Sequence, residues 1–439
     1  MTNVRKTALR LLLDWEAEDR FINLSLTPSL KEGLSAEDRR FLTALLYGTV
    51  ERMLTLDYCI GRLTKREAAS LAPHTRALLR LGLYQILYME GVPDHAAVSE
   101  TVALASHKGE RGFVNAVLRT ATRERETLVP PLREKNPLRH LSVKYSVPLP
   151  LVRIFCAQYG EEEAEKLLDA FSTAAPLTLR VNTARISRAE LKEKLAVQDP
   201  DIRETPFAPA GLRLSGSADP TSLFGFAEGH FYVQDEASQI AVAALDAGCI
   251  EKDGLIIDTC ACPGGKSFGA AIDLDGCGQV LSFDLHESKL PLIRSGAERL
   301  GLACITAAVR DGQEPDPALF GKADRVFCDA PCSGLGVIGK KPDLRYRPAE
   351  GIENLPALQT KLLHAASLYT KKGGILIYST CTLNEAENGG VCREFLKNHP
   401  EYAAEDFTVG TLSSTEGMLT LLPHVHHTDG FFIAKFRRL

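Results

Sequence analysis

From about residue 234 to the carboxyl end, short apolar runs alternate with stretches of helical periodicity. Strands that alternate with helices are typical of a parallel, doubly wound sheet with helices on both faces. In such sheets the ligand binds beyond the carboxyl ends of the strands. The pattern therefore predicts an α/β domain with a site along one edge of its sheet. The apolar runs are GLIIDT, QVLSFD, CITAAVRD, DRVFCDA and GILIYST.

The amino-terminal part has a different pattern, in which apolar residues recur at three- and four-residue spacing. This periodicity predicts an all-helical domain over residues 1–135. A charged stretch with several prolines follows at 128–150 and predicts a linker. The helical pattern is clearest in LRLLLDW, DRRFLTALLYGTVERMLTLDYCI and HTRALLRLGLYQILYME.

A mixed segment lies between these two parts. Its residues 149–171 and 188–195 have helical patterns, whereas PLTLRVNT, GLRL and HFYVQD resemble strands. We expect a small α+β module over 145–232 and the doubly wound domain over 233–439. A chain of 439 residues is long enough for two or three domains, each with its own core.

The composition excludes several classes of protein. Apolar residues make up 45% of the chain and charged residues 24%, which is average for a globular protein. No stretch approaches the roughly 20 apolar residues that span a bilayer, and the start has no small-residue cleavage site. We therefore expect a cytoplasmic protein without a membrane segment. Eleven cysteines are too few for a disulfide scaffold and should be reduced thiols in the cytosol.

The charge is unevenly distributed along the chain. The net charge is −5, but residues 1–150 carry 22 Lys and Arg against 17 Asp and Glu, so the remainder carries −10. A basic amino-terminal part could follow a phosphate backbone. Arg119, Arg123 and Arg125 are candidate phosphate contacts there. An ordinary solvated surface explains the bias, and these arginines, equally well.

Polar or reactive residues follow the apolar runs of the doubly wound domain. A single aspartate after a strand is as often a cap of the next helix. Polar residues after every strand at the same sheet edge instead predict a site. These residues are Asp258 to Cys260, Asp284, Asp311, Asp329 and Cys381.

The segment CACPGGK joins the first of these strands to a helix. Gly264 and Gly265 have no Cβ, so the backbone can bend tightly and approach a ligand, and the helix start favours an anionic group. The segment is neither G-x-G-x-x-G nor a P-loop. Asp284 lies 20 residues after Gly264, at the distance where an acid binds ribose hydroxyls. A nucleoside-containing cofactor fits, and Asp311 could either reach its base or cap a turn.

Two cysteines are predicted at neighbouring strand ends, Cys332 in DAPCSGLG and Cys381 in YSTCTLNEAEN. Free cysteine is usually a small buried apolar residue, and this interpretation covers the cysteines that lie outside the motifs. A metal site formed by Cys260 and Cys262 with this pair is an alternative. Regular ligand spacing is absent, so we expect no metal.

The motifs CACPGGK, DAPCSGLG, KKPDLRY and YSTCT, in this order, resemble those of the RNA 5-methylcytosine methyltransferases of the RsmB/NOP family. The segments LRLGLYQILY, PDHAAVSETVALA and GFVNAVLR resemble the NusB-like helical domain of a bacterial ribosomal-RNA member. The resemblance covers nearly the whole chain. It implies a multidomain α/β protein: an all-α NusB-like RNA-binding domain, a small α+β RNA-binding module and a Rossmann-like class I S-adenosylmethionine-dependent methyltransferase domain.

The resemblance also implies site residues. The methionine end of S-adenosylmethionine would lie on Cys260, Ala261, Cys262, Pro263, Gly264, Gly265 and Lys266. Asp284 would bind the ribose, Asp311 would meet the adenine side, and Asp329 would lie beside both cofactor and target base. Lys341, Pro342 and Asp343 would line the target pocket. Two positions depart from the family pattern: Cys262 stands where alanine is usual, and Tyr346 where tryptophan is expected.

The roles of the two cysteines follow from the resemblance alone. It assigns attack on carbon 6 of a cytosine to Cys381 and product release to Cys332. The chemistry of this attack adds that Asp329 could hold a proton at nitrogen 3, for which its pKa must be raised. The residues by themselves leave the roles of the two cysteines open, because DNA cytosine methyltransferases attack with a Pro-Cys cysteine similar to Cys332. The expected substrate is 16S rRNA, bound by a monomer that takes no DNA.

Two alternatives remain for the function. The same chemistry could act on transfer RNA, or the chain could be a non-catalytic RNA-binding or antitermination factor. A binding factor would need neither both cysteines nor the glycine loop. A Rossmann dehydrogenase is disfavoured, because G-x-G-x-x-G is absent and both cysteines would be unexplained.

Overall fold

A computed structural model of the protein describes residues 4–18, 22–30, 33–173, 176–216, 219–250, 252–347 and 349–439. The chain divides into two compact units. The first, here called the helical unit, comprises Met1–Ser172 and Lys341–Arg347. The second, the sheet unit, comprises Thr173–Lys340 and Pro348–Leu439.

The helical unit confirms the all-helical prediction for the amino-terminal part. Its core is built from leucine-rich helix faces, and Leu78, Leu79 and Leu83 of the fifth helix are fully buried. The helices are α1 (Val4–Glu18), α2 (Ile22–Leu30), α3 (Ala36–Glu51), α4 (Met53–Thr64), α5 (Pro73–Tyr88), α6 (Asp94–Ala103), α7 (Lys108–Arg123), α8 (Pro137–Tyr145), α9 (Leu149–Tyr159) and α10 (Glu161–Ala170).

The prediction of a linker over 128–150 was wrong in part, because α8 lies within it. Pro137 occupies the first turn of α8, where a missing N–H costs nothing and the fixed φ suits the helix. The Asn136 side chain caps the helix by accepting a hydrogen bond from the Arg139 N–H at 3.0 Å. Pro137 thus marks the start of α8, and Pro150 likewise lies in the first turn of α9. Helices α9 and α10 also belong to the helical unit, whereas sequence analysis grouped them with the middle module.

The segment Lys341–Arg347 is part of the helical unit although it follows a strand of the sheet unit in sequence. It forms a 3₁₀ turn over Pro342–Tyr346. Arg345 is 1% exposed, and its guanidinium donates to the carbonyls of Glu51 at 3.1 Å, Tyr145 at 3.3 Å and Phe171 at 3.4 Å. These bonds satisfy a buried cation with backbone acceptors from three helical segments.

The sheet unit begins with a small antiparallel sheet, in the strand order β2-β3-β1-β4. This confirms the expected α+β module. Its core contains Leu179, Val181, Leu191, Leu212 and Phe231. The elements are β1 (Thr178–Val181), α11 (Arg188–Leu195), β2 (Arg203–Glu204), β3 (Gly211–Arg213) and β4 (Phe231–Val233).

The larger sheet has the strand order β10-β14-β9-β8-β5-β6-β7, and β13 pairs with β14. The run from β7 to β9 is parallel and confirms the doubly wound prediction. Its strands are β5 (Gly254–Asp258), β6 (Gly278–Asp284), β7 (Ile305–Val309), β8 (Ala323–Asp329), β9 (Thr370–Thr380), β10 (Tyr402–Ala404), β11 (Thr408–Val409), β12 (Leu412–Ser413), β13 (Met418–Leu421) and β14 (Phe431–Arg438).

The carboxyl-terminal part adds antiparallel strands, which the sequence pattern did not predict, to this parallel run. Strand β14 runs antiparallel to β9 and carries β10 and β13 on its far side. Antiparallel neighbours need no crossover helix, so these strands lack the strand-helix alternation that identified the others. None of the helices among the described residues is long and apolar enough to span a membrane.

Helices cover both faces of the larger sheet. Neighbouring residues of β5 show this, because Ile256 packs in the core under one set of helices and Ile257 in the core under the other. Chain order reverses between β5 and β8, which makes their carboxyl ends the switch point where ligands bind in such sheets. The helices are α12 (Glu236–Ala243), α13 (Gly265–Asp273), α14 (Leu290–Leu300), α15 (Ala349–Ile352), α16 (Leu355–Tyr369), α17 (Gly389–Asn398) and α18 (Pro423–His426).

Candidate active site

The segment from Cys260 to Lys266 follows β5 at this switch point and includes the first two residues of α13. Gly264 has a φ of 110°, in the left-handed region, and a Cβ there would come within 2.4 Å of the Phe268 ring. The position therefore requires glycine for two reasons, its backbone conformation and the adjacent ring. A Cβ on Gly265 would lie 3.3 Å from the Gln234 side chain. The backbone of Gly264 and Gly265 is consequently not covered by side chains of its own.

Asp258, at the end of β5, is buried beneath the loop. Its Oδ2 accepts a hydrogen bond from Ser267 Oγ at 2.7 Å, and Ser267 Oγ accepts one from Ser282 Oγ at 2.8 Å. Its Oδ1 is buried without a hydrogen-bond partner among the described residues. Burial raises the pKa of Asp258 to about 6, although the Ser267 hydrogen bond opposes the shift. An ammonium group placed at Oδ1 would satisfy this acceptor.

A cavity of about 200 Å³ opens beside Asp258. It brings together most of the predicted loop residues, and it adds residues from β4 and α12 that sequence analysis did not assign. The cavity is lined by Val233, Gln234, Asp235, Ser238, Asp258, Cys260, Ala261, Cys262, Pro263, Gly265, Lys266 and Asp329. The bare loop and the open acceptor of Asp258 fit the amino-acid end of S-adenosylmethionine.

Asp284 is the last residue of β6, and Asp311 lies two residues after β7. Asp284 is 8% exposed, and its Oδ1 accepts from the His286 N–H at 3.0 Å and lies 3.5 Å from Lys289 Nζ. Asp311 Oδ1 accepts from the Gln313 N–H at 2.9 Å. This bond is the turn cap that was one of two interpretations of Asp311. The roles of both residues toward a nucleoside stay predictions.

Asp329 ends β8 and lies between two donors. Lys266 Nζ donates to its Oδ2 at 2.6 Å, and Ser379 Oγ donates to its Oδ1 at 2.6 Å. Burial by itself would lower the pKa of Lys266, but the neighbouring Asp329 carboxylate outweighs it and the pKa is raised. The Lys266 ammonium also lies over the Phe431 ring, 5.2 Å from its centroid. A charged lysine is thus held beside the end of β9.

Cys332 and Cys381 meet as predicted, with their Sγ atoms 3.3 Å apart and neither of them in a disulfide. The hydrogen bond to Cys381, together with burial, raises the pKa of Cys332 well above its usual value. Cys332 therefore keeps its proton and can donate it toward the Cys381 sulfur. Cys381 also contributes to the raised pKa of Lys266, which places a positive charge near that sulfur.

Sequence analysis missed Glu387, which joins the loops that carry the two cysteines. This carboxylate is fully buried and accepts hydrogen bonds from both the N–H of Ser333 at 2.9 Å and its Oγ at 2.5 Å. Gln359 Nε2 and Asn384 Nδ2 donate to it at 3.0 Å each. In the sequence, Glu387 lies in EAEN and looks like an ordinary acid at a helix start. Only its burial distinguishes it.

Asp235, another residue that sequence analysis missed, lies at the edge of the cavity. Lys340 Nζ is 2.6 Å from Asp235 Oδ2 and 2.9 Å from Asp429 Oδ2. Burial raises the pKa of Asp429, and the neighbouring charge of Asp235 raises it further, to about 7. This group ties the end of the Cys332 loop to the start of α12 and to the turn before β14.

The predicted substrate-loop residues Lys341, Pro342 and Asp343 lie in the helical unit, and Pro342 and Asp343 are buried there. They are not among the residues that line the cavity beside Asp258. Their role toward a target base stays a prediction. Among the described residues, no group of three or more His, Cys, Asp or Glu side chains is placed to hold a metal ion.

A doubly wound sheet with a glycine loop, an acid after its second strand and a polar cavity at its switch point defines the class of Rossmann-like proteins that bind a nucleoside-containing cofactor. Comparison with family models narrows this class to methyltransferases. Residues 248–437 match the model for 16S rRNA methyltransferase RsmB/F, residues 2–123 match the NusB family, and residues 147–220 match the ferredoxin-like domain of RsmF/B-like methyltransferases. The methyltransferase family model over this domain supports S-adenosylmethionine as its cofactor.

The chain belongs to the ribosomal RNA small subunit methyltransferase B family. It is 36% identical over 449 aligned positions to the probable ribosomal RNA small subunit methyltransferase B of Bacillus subtilis, covering 100% of this chain and 99% of that protein. The structure of PH0851 has the same fold over the whole chain, with a TM-score of 0.82, 24% identity and coverage of 100% and 99%. The structure of NSun6 from Pyrococcus horikoshii with SFG covers 65% of this chain and 97% of that one, with a TM-score of 0.58 and 24% identity.

Proposed function

We propose that this protein transfers a methyl group from S-adenosylmethionine to carbon 5 of a cytosine in 16S rRNA, through a covalent bond between Cys381 and carbon 6 of the base. The observation that carries the proposal is the contact between the Cys332 and Cys381 sulfurs, 3.3 Å apart, beside the Lys266–Asp329 pair. The names of the full-length relatives support ribosomal RNA as the substrate.

Carbon 5 of cytosine is a poor nucleophile, so the ring must first be activated. The Cys381 thiolate adds to carbon 6, which forms the S–C6 bond and makes carbon 5 the nucleophilic end of an enamine. Negative charge develops at nitrogen 3 in this step. Asp329 would carry a proton to nitrogen 3 in this step, and the Lys266 ammonium, which bonds to Asp329 in the free protein, would balance the charge of the carboxylate that remains.

The cofactor supplies an electrophilic methyl group when it is bound. After carbon 5 has taken this group, a base removes the carbon-5 proton, the C5–C6 double bond re-forms and the Cys381 sulfur leaves as a thiolate. Cys332 assists this last step, because its thiol donates a hydrogen bond to the departing sulfur. This arrangement favours Cys381 as the nucleophile and Cys332 as the residue for product release.

The remaining residues hold the two substrates. The cofactor's ammonium group would lie at Asp258 Oδ1, its ribose at Asp284 and its adenine near Asp311, with the glycine loop against its methionine end. The target cytosine must leave any base stack to reach Cys381, at a cost of a few kcal/mol that is smallest in a loop. An unpaired cytosine in structured RNA is therefore the natural target.

The test incubates the purified protein with radiolabelled S-adenosylmethionine and an unmodified 16S rRNA transcript, and then locates 5-methylcytosine by bisulfite sequencing. We expect one modified position, which Cys381→Ala abolishes. Label on a transfer-RNA pool with none on 16S rRNA would retain the chemistry and overturn the substrate. Absence of label on both RNAs, with the transcript still bound, would support the non-catalytic RNA-binding alternative.

A further inference from the structure

A polar groove runs between helices α6 and α7 of the helical unit, far in sequence from the cysteine loops. Its volume is about 650 Å³. Its floor is formed by the short apolar side chains of α6, and its walls carry polar and cationic groups. The lining residues are Asp94, His95, Val98, Ser99, Val102, Ala103, Arg111, Asn115, Arg119 and Thr122.

One wall of the groove is a regular stripe on α7. Arg111, Asn115 and Arg119 follow each other at four-residue spacing, so they lie on the same face of the helix. At about 1.5 Å rise per residue, the two arginines are roughly 12 Å apart along the axis. With about 3.4 Å of axial rise per nucleotide, this distance spans three or four nucleotides of a stacked strand.

The opposite wall contributes hydrogen-bonding groups from α6. His95 and Ser99 are one helical turn apart, and both are exposed. The acid in the groove, Asp94, is already paired with Arg125 at 2.6 Å. Arg125 also donates to the Ile86 carbonyl at 2.6 Å. The groove therefore keeps a net positive charge.

The two groove arginines remain available for a ligand. Both are exposed, and neither forms an ion pair among the described residues. Among these residues, the only hydrogen-bond partner of the Arg119 guanidinium is Asn115 Oδ1, at 3.0 Å. Glu110, next to Arg111 in sequence, points away and bonds to Thr75 at 2.6 Å. Anions can approach this stripe without displacing an acid.

We propose that the groove between α6 and α7 binds the sugar-phosphate backbone of a single-stranded RNA segment, with Arg111 and Arg119 on phosphates. This deepens the proposed function, because it rests on RNA being the substrate. It also separates the arginines that sequence analysis grouped together: Arg119 is assigned to the RNA, whereas Arg125 stabilises the helical unit through Asp94.

Phosphate and sugar contacts explain the groove better than a protein partner does. Protein interfaces have apolar, often aromatic, centres. Among the described residues, none of the large apolar side chains that are exposed lines this groove. Arginine, asparagine, serine and threonine, which all line this groove, are instead donors that contact nucleic-acid backbones.

The test measures binding of the full-length protein to the unmodified 16S rRNA transcript without cofactor, across a range of salt concentrations. Each lost phosphate contact lowers the slope of log K against log salt by about 0.7 for a single strand. Arg111→Ala/Arg119→Ala should therefore lower the slope by about 1.4 and the affinity roughly tenfold or more near 0.1 M salt. Arg111→Lys/Arg119→Lys should restore most of both.

The matched control is Arg39→Ala/Arg40→Ala, which removes two exposed arginines from α3. The slope of log K against log salt for this variant should lie within about 0.3 of the wild-type slope. Equal losses of slope and affinity in the two alanine variants would contradict the proposal that the groove binds RNA. They would indicate a non-specific effect of the net charge instead. An unchanged slope in Arg111→Ala/Arg119→Ala would overturn it as well, and would leave a protein ligand for this surface. Because methylation is not measured, failure of the proposed function leaves this result interpretable.

Discussion

The sulfur atoms of Cys332 and Cys381 lie 3.3 Å apart at the ends of adjacent parallel strands, and one of the two thiols holds its proton firmly. Both thiols are half-buried and share one hydrogen bond. They differ because the pKa of Cys332 is raised well above its usual value, whereas the charge of Lys266 acts on Cys381. This asymmetry makes the proposed division of labour testable.

Cys332→Ala should form the S–C6 bond but release product slowly, because the leaving sulfur loses its hydrogen-bond donor. We expect a protein–RNA complex that survives denaturing electrophoresis in this variant and none in Cys381→Ala. Cys328→Ala is the control, as Cys328 is a buried thiol behind the same strand end. A stable adduct in Cys381→Ala would reverse the two roles.

Glu387→Ala should lower kcat about 100-fold with little change in KM for RNA. Loss of the carboxylate removes the hydrogen bonds that hold both cysteine loops, and a displacement of the reacting sulfur by about 1 Å can lower the rate this much. Single-turnover kinetics with separate measurement of RNA affinity would check this split. Glu387→Gln keeps part of the network and should recover part of kcat.

The neighbouring Glu385 offers the matched control for Glu387, since it is exposed and pairs with Arg393 at 2.7 Å. Glu385→Ala should retain nearly full activity. If Glu387→Ala lost RNA affinity and kept kcat, the assigned positioning role would be wrong. Thermal unfolding of each variant separates this effect from a general loss of stability.

Gly264→Ala should weaken cofactor binding at least tenfold, because the new Cβ would need a strained φ and would meet the Phe268 ring. Isothermal titration with S-adenosylmethionine measures this change. Gly276→Ala is the control: that glycine also has a positive φ, 76°, but a Cβ there meets nothing within 4 Å. It should cost about 1 kcal/mol of stability and leave cofactor affinity unchanged.

Cofactor affinity should fall as the pH is lowered through about 6, the raised pKa of Asp258, because the protonated carboxyl no longer attracts the cofactor's ammonium group. Asp258→Asn should bind weakly at every pH and lose this dependence. Titration of the dissociation constant between pH 5 and 8 would check it, and an unaltered slope in the asparagine variant would assign the titration to another group.

Asp258 should also affect stability in the free protein. A folded-state pKa above the unfolded value means that the folded protein binds the proton more tightly, so stability falls as the pH rises from about 4 to about 6. Asp258→Asn removes this penalty. Its stability relative to wild type should therefore increase over that interval by up to about 3 kcal/mol and stay constant above it. Denaturant unfolding without cofactor measures this difference.

The sequence by itself determined the parallel strands and the residues that follow them. Apolar runs alternating with helices predict that Asp258, Asp284, Asp329 and Cys381 share one sheet edge, and the structure places them there. It also determined the glycine loop, since adjacent glycines between a strand and a helix leave few alternatives for the backbone. Such features depend on local periodicity and on single-residue conformation, which the order of residues records directly.

Only the tertiary structure decided the contacts between segments far apart in the chain. Glu387 links two loops because Ser333 and Gln359 donate hydrogen bonds to it in the core. Arg345 lies in the helical unit, where it donates to the carbonyl of Glu51, 294 residues away in sequence. The antiparallel strand β14 likewise has its place through pairing with β9. Hydrogen bonds of this kind are set by distance in space, and no local pattern of residue types encodes which acceptor a buried donor will find.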